Sequence, residues 1–156
     1  MESSAKYLTC IEGVTSVVLR EIADERGTVL HMLRCDDADF TQFGECYFSE
    51  VLPGSIKAWK RHRMQTQNLA APVGRIRLVI FDDRLDSATK GKVLVKEIGR
   101  PDAYVRVKIP PGLWYGFSCI GRVPALLVNC ADLPHELSES DRKATFDISI
   151  PYIWQV

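Results

Sequence analysis

The chain has 156 residues, a length that suits one domain spanning 1–156 and lets roughly two-thirds of the unfolded surface be buried in a core. Hydrophobic residues make up 46%, and 20 basic side chains cancel 20 acidic ones, which argues against a global electrostatic footprint for nucleic acid or an anionic membrane. No apolar run reaches the ~18 residues that a membrane span needs, and the five cysteines without a CxxC pair, behind a leaderless Met1-Glu2-Ser3-Ser4 start, point to a reducing cytoplasm.

In chain order, runs rich in β-branched and aromatic residues predict strands over 14–22, 27–34, 45–51, 55–61, 75–82, 93–98, 103–109, 113–120 and 125–129. Turn residues punctuate them at Asp24-Glu25-Arg26-Gly27, Leu52-Pro53-Gly54, Asp82-Asp83-Arg84 and Pro110-Pro111-Gly112. Segment 36–43 carries an aspartate near its start and predicts one or two helical turns. Segment 87–91 reads as a capped turn, and the polar segment 134–142 as an exposed loop or helical turn. The apolar tail 148–154 is expected to dock on the domain. Strands roughly ten residues apart predict an all-β sandwich or barrel with a few short helical turns.

One stretch carries chemistry. Gly54 is followed by five residues and then by Lys60-Arg61-His62; four residues later comes Gln67, and six residues after that Gly74. This spacing resembles the first cupin motif, with Lys60-Arg61-His62 standing where His-x-His belongs and Gln67 where glutamate belongs. Pro110-Pro111-Gly112-Leu113-Trp114-Tyr115 resembles the second motif, with Tyr115 in place of its histidine. The resemblance implies a cupin double-stranded β-helix, a jelly-roll barrel. On a strand, Lys60, His62 and Met64 share a face, which in a small barrel is the interior. A metal site needs neutral imidazoles and a carboxylate, and His62 alone is too few, so no metal is expected. The cluster Lys60, His62, Gln67, Asn68 and Tyr115 must then pair internally, with water or with a ligand. Burial would lower the pKa of Lys60 and could move His62 across neutrality, so either could serve as a general base. The alternatives are a satisfied core network or a strand register that turns these groups to solvent. Lys57, Arg61, Arg63, Arg75 and Arg77 form a basic stripe, read either as a solvated sheet face or as a diphosphate-binding surface.

Further residues extend the likeness to a single family. Gly54-Ser55-Ile56-Lys57-Ala58-Trp59-Lys60, Gly74-Arg75-Ile76 with 79–84 and Ser87, and Val107-Lys108-Ile109-Pro110-Pro111-Gly112 with Gly116-Phe117 resemble, in order and spacing, motifs of the dTDP-4-dehydrorhamnose 3,5-epimerase family. So do Asp24-Glu25-Arg26-Gly27 and Asp147 with Trp154. The resemblance implies proton abstraction beside the ketone of a 4-keto-6-deoxy sugar nucleotide in surface-polysaccharide biosynthesis, with no cofactor. It also implies a homodimer that exchanges N-terminal strands. The family's base position falls on Lys60, its orienting aspartate on Asp147, its enolate-binding lysine on Asn68 and its acid tyrosine near Val128. Its diphosphate arginines match Arg26 and Lys57, and a substrate-contacting glutamine falls near Glu45. A rearranged site follows, in which Lys60 or His62 takes the proton. The other cation and Asn68 would stabilise the enolate, Tyr115 would return a proton, and Gln67 and Arg77 would help bind substrate. The alternative is a catalytically altered cupin that binds a nucleotide sugar or a partner enzyme without turnover.

Overall fold

Alternating apolar and polar side chains along short strands build two antiparallel sheets that close over a shared core. The structure, a computed structural model, describes residues 6–8 and 10–155; the expectation drawn from residues 1–4 lies outside them. The strands are β1 (Lys6–Leu8), β2 (Thr15–Val18), β3 (Glu21–Asp24), β4 (Gly27–Leu30), β5 (Glu45–Val51), β6 (Ile56–His62) and β7 (Gln67–Val73). They continue as β8 (Arg75–Phe81), β9 (Val93–Gly99), β10 (Val105–Ile109), β11 (Trp114–Cys119), β12 (Ala125–Ala131) and β13 (Ser140–Arg142). One sheet has the order β1-β2-β10-β7-β12-β5 and the other β13-β6-β11-β8-β9, while β3 and β4 form a separate hairpin. This is the cupin jelly-roll barrel, nearly all β.

Ile76, Leu78 and Ile80 of one sheet belong to the same core as Leu69, Val107 and Ile109 of the other, all at most 1% exposed. A second apolar layer forms outside the five-stranded sheet, where the C-terminal tail docks as expected. There Ile150 and Trp154 pack with Trp59, Trp114 and Phe81, and the Trp59 and Trp154 rings lie 5.2 Å apart. Gly116 permits this approach, because a Cβ there would stand 2.5 Å from the Ala58 Cβ and 3.0 Å from the Trp154 ring.

Several expected elements differ. The run 14–22 breaks after Val18, and its second half leaves the sheet to join the hairpin. β7 carries Gln67-Asn68 and Ala70-Ala71-Pro72, a composition with little strand propensity, yet residues 67–71 are all buried. Segment 36–43 forms turns rather than a helix; Asp37 and Asp39 pair with the buried Arg106 guanidinium at 3.3 and 2.9 Å instead of capping. Segment 134–142 contains a 3-10 turn (Leu137–Glu139) and then adds β13 to the edge of the second sheet.

One irregularity shapes the interior. Between β11 and β6 the register shifts, so that Tyr115 faces Lys60 while Phe117 faces Lys57. Cross-strand partners share a face, and both Tyr115 and Phe117 belong to the core. The extra residue of this bulge therefore turns Lys57 and Lys60, three positions apart, toward the same side. Among the described residues no helix is long and apolar enough to cross a membrane.

Candidate active site

A cavity of about 560 Å³ opens between the two sheets. Leu69, Leu127 and Phe117 supply apolar wall. Lys57, Lys60 and Tyr115 enter from the five-stranded sheet, Tyr47 and Asn129 from the six-stranded sheet, and Arg142 from β13 at the edge.

Lys60 is half-buried, and its ammonium forms no hydrogen bond or ion pair among the described residues. Its register partner on β13 is Arg142, whose guanidinium is likewise unpaired among them. Burial first, and the Arg142 charge second, lower the pKa of Lys60, against the opposing pull of Glu139 and Glu45. Two like charges directly across a strand pair are unfavourable, and an anion between them reverses the sign of that interaction. The arrangement suits an anionic guest.

His62, 3% exposed, is engaged at both nitrogens. Its Nδ1 lies 2.6 Å from Glu139 Oε2 and its Nε2 lies 3.1 Å from the Tyr115 hydroxyl. Glu139 Oε1 also accepts the backbone N–H groups of Met64 (2.9 Å) and Gln65 (2.8 Å). Burial pushes the Glu139 pKa up, but the bonds from His62 and the two amides outweigh it and hold the carboxyl below its usual range. Burial, joined by Lys60 and His135, lowers the pKa of His62 by more than Glu139 raises it. The imidazole is therefore neutral, donates Nδ1–H to Glu139 and accepts the Tyr115 O–H at Nε2. Tyr115 is buried and its pKa is driven far up by desolvation.

On the opposite wall, Asn129 Nδ2 donates to the Tyr47 hydroxyl at 2.9 Å and also to Gln67 Oε1. Gln67 Nε2 in turn donates to Gln65 Oε1 at 2.7 Å. This amide chain fixes Asn129 behind Tyr47. Burial raises the Tyr47 pKa, the Asn129 bond lowers it and Glu45 raises it further, for a net rise.

The sequence-derived candidates sort into two groups. Lys60, His62 and Tyr115 come together, with Gln67 behind the facing wall. Glu45, at the start of β5, influences Lys60 electrostatically. Lys57 stands at the cavity mouth and donates to Ser49 Oγ and to the Glu50 carbonyl, both at 2.7 Å. The structure separates the others. Asn68 lies on the other face of β7, where its Oδ1 accepts from Arg106 at 2.9 Å and its Nδ2 donates to the Cys130 carbonyl at 3.1 Å. Asp147 bonds Ser149 in the tail, stands 3.9 Å from Lys143 and touches neither Lys60 nor His62. Arg26 pairs with Asp24 at 2.6 Å in the hairpin turn, and Arg77 pairs with Glu97 at 3.1 Å outside the barrel. Met64 lies beyond the end of β6 and is 69% exposed. Of the basic stripe, Arg61 and Arg63 share Asp141 and Arg75 meets Asp102, so those charges are already matched on the sheet surface. Tyr47, Asn129, Glu139 and Arg142 were not singled out from sequence. Tyr47 had a signal, since it lies two residues from Glu45 on one strand face; Glu139 and Arg142 sat in a polar segment with no periodicity. Among the described residues no three or more His, Cys, Asp or Glu side chains gather as metal ligands would.

No family model matches the chain. The chain is 35% identical over 132 residues to a probable low-salt glycan biosynthesis epimerase of Haloferax volcanii, covering 83% of this chain and 81% of that protein. It is 49% identical to a dTDP-sugar isomerase of Desulfovibrio desulfuricans, with a TM-score of 0.94 and coverage of 95% and 94%. A dTDP-4-dehydrorhamnose 3,5-epimerase of Bacillus anthracis, solved with TDP and pyrophosphate bound, shares the fold at 19% identity, a TM-score of 0.84 and coverage of 97% and 90%.

Proposed function

Because this chain belongs to the dTDP-4-dehydrorhamnose 3,5-epimerase family of cupin-type nucleotide-sugar epimerases, we propose that it abstracts a proton beside the ketone of a 4-keto-6-deoxy sugar nucleotide, in the making of a surface polysaccharide. The observation that carries this reading is the Lys60 ammonium, unpaired among the described residues and turned into the cavity beside Arg142. A carbon next to a ketone gives up its proton when a base takes it and the electron pair moves onto the carbonyl oxygen. A lysine with a lowered pKa holds more of its population as neutral amine at neutral pH. Once protonated, it stands as a cation near the enolate, and Arg142 adds a second positive charge. His62 is the weaker candidate for base, since both its nitrogens are committed. It supports the wall by holding Tyr115. In this reading Lys57, at the mouth, meets the diphosphate.

The same reading makes the protein a cytoplasmic homodimer with exchanged N-terminal strands. Ile22 and Val29, 42% and 61% exposed on the β3–β4 hairpin, support a partner chain there. Arg26, at the turn of that hairpin, then serves a neighbouring cavity rather than its own; sedimentation as a monomer at micromolar concentration would remove this part. The catalytic part is tested by incubating dTDP-4-keto-6-deoxyglucose with the protein in D2O. Deuterium enters beside the ketone with the native chain and not with Lys60→Ala. Binding without exchange in the native chain overturns the enzyme reading in favour of a cupin that only binds, and undiminished exchange in Lys60→Ala removes Lys60 as the base.

A further inference from the structure

Exchange of a proton needs one base, whereas inversion at carbon needs a proton donor on the opposite face of the sugar ring. The two sheets supply the two faces. Lys60 and Tyr115 are direct cross-strand partners on the five-stranded sheet, so they approach a guest from the same side. The Tyr115 proton is moreover directed to His62 Nε2. Tyr47 lies on β5, in the six-stranded sheet, and lines the cavity from the other wall.

We propose that Tyr47 is the catalytic acid of the inversion, delivering its phenolic proton to the enolate from the side opposite Lys60. This assignment rests on the reading of Lys60 as the base. The hydrogen-bond pattern favours it. Asn129 Nδ2 donates to the Tyr47 oxygen at 2.9 Å, so the hydroxyl receives there, and among the described residues no acceptor takes the Tyr47 proton. The O–H is thus a free donor at 40% exposure on the cavity wall. Its ring position is fixed by β5–β12 pairing, where Tyr47 stands directly opposite Asn129. The same Asn129 bond stabilises the phenolate left after transfer. Net burial effects keep the group protonated until an enolate demands the proton. The balance is complete: Lys60 gains the proton of the C–H bond, the enolate carbon gains the Tyr47 proton on the other face, and solvent resets both groups.

The test measures inversion and exchange side by side with dTDP-4-keto-6-deoxyglucose in D2O. Tyr47→Phe is expected to lose inversion by about 100-fold or more while its exchange stays within about threefold of the native chain. Retained exchange shows that the variant still folds and binds. Native inversion in Tyr47→Phe overturns the assignment, as does equal loss of inversion and exchange, which would make Tyr47 part of binding or enolate formation. A collapsed ratio of inversion to exchange in Tyr115→Phe but not in Tyr47→Phe moves the acid to Tyr115. If the native chain exchanges nothing, the reading of Lys60 fails first and the Tyr47 assignment falls with it.

Discussion

At the scale of single residues, Lys60 and Glu139 behave as opposites. Glu139 accepts three hydrogen bonds, while Lys60 makes none among the described residues. Free kcat/KM reports the base of the unliganded enzyme. It should therefore rise with pH and level off below the ordinary lysine value of about 10.4. Arg142→Gln removes a neighbouring positive charge, so protonated Lys60 becomes easier to keep and the rising limb shifts to higher pH. An unshifted limb in kcat/KM of deuterium exchange would show that Arg142 does not tune this amine. Glu139→Gln replaces an acceptor by an amide donor facing the Nδ1–H of His62. The imidazole must then change tautomer and Tyr115 loses its acceptor; a loss of about 1–3 kcal/mol in urea unfolding is expected, and an unchanged midpoint counts against the proposed tautomer. Lys60, His62 and Tyr115 were legible because motif spacing fixes their strands. Asn68 was not, because residues 67–71 are buried regardless of face, so hydrophobicity cannot say which of Gln67 and Asn68 points inward.

At the scale of elements, runs rich in β-branched and aromatic residues between clear turns were readable, as β5, β8 and β9 illustrate. β7 was hidden by its alanines and proline, and β13 by a polar sequence whose pairing depends on β6 rather than on its own propensity. The bulge was hidden for a related reason. Period-two counting from Lys60 places Lys57 outside, and only pairing with Phe117 reveals that it turns inward. The same strand pair yields a stability prediction. Gly116→Ala would drive a methyl group to 2.5 Å from the Ala58 Cβ and 3.0 Å from the Trp154 ring, with backbone on one side and a buried ring on the other. Overpacking of this kind costs about 1–3 kcal/mol, which lowers Tm by roughly 2–4 °C per kcal/mol in a chain of this length. An unchanged Tm would mean that the tail and β6 yield easily, and the second apolar layer would then be looser than its packing suggests.

At the scale of the whole molecule, zero net charge conceals strongly perturbed groups whose proton binding differs between folded and unfolded states. Asp82 has no exposed surface. Burial pushes its pKa up, but bonds from Arg84, Ser87 and Thr89 prevail and hold it well below the usual carboxylate range. Asp39, beside Arg106, follows the same pattern. These carboxylates contribute stability that is full above their unfolded value of about 4 and is lost as pH falls through the depressed folded values. His62, whose folded pKa is lowered by burial, resists protonation, so its contribution is full above about 6.5 and fades as pH drops below that. In both windows the unfolded chain binds more protons, so stability rises with pH. Lys60 has the same sign at the alkaline end, where its lowered pKa means that burying the charged form costs stability at neutral pH. In the proposed role, such a cation is held at the expense of the fold. Lys60→Met should accordingly raise Tm by a few degrees at pH 7 while abolishing exchange. Native Tm should fall steadily from about pH 6.5 downward, first through His62 and then through the carboxylates. Scanning calorimetry across pH 4–8 on both chains checks the two expectations together. A native Tm that is flat or rises on acidification would reverse the assigned signs, and a Lys60→Met chain that melts lower would show that the ammonium has a stabilising partner after all.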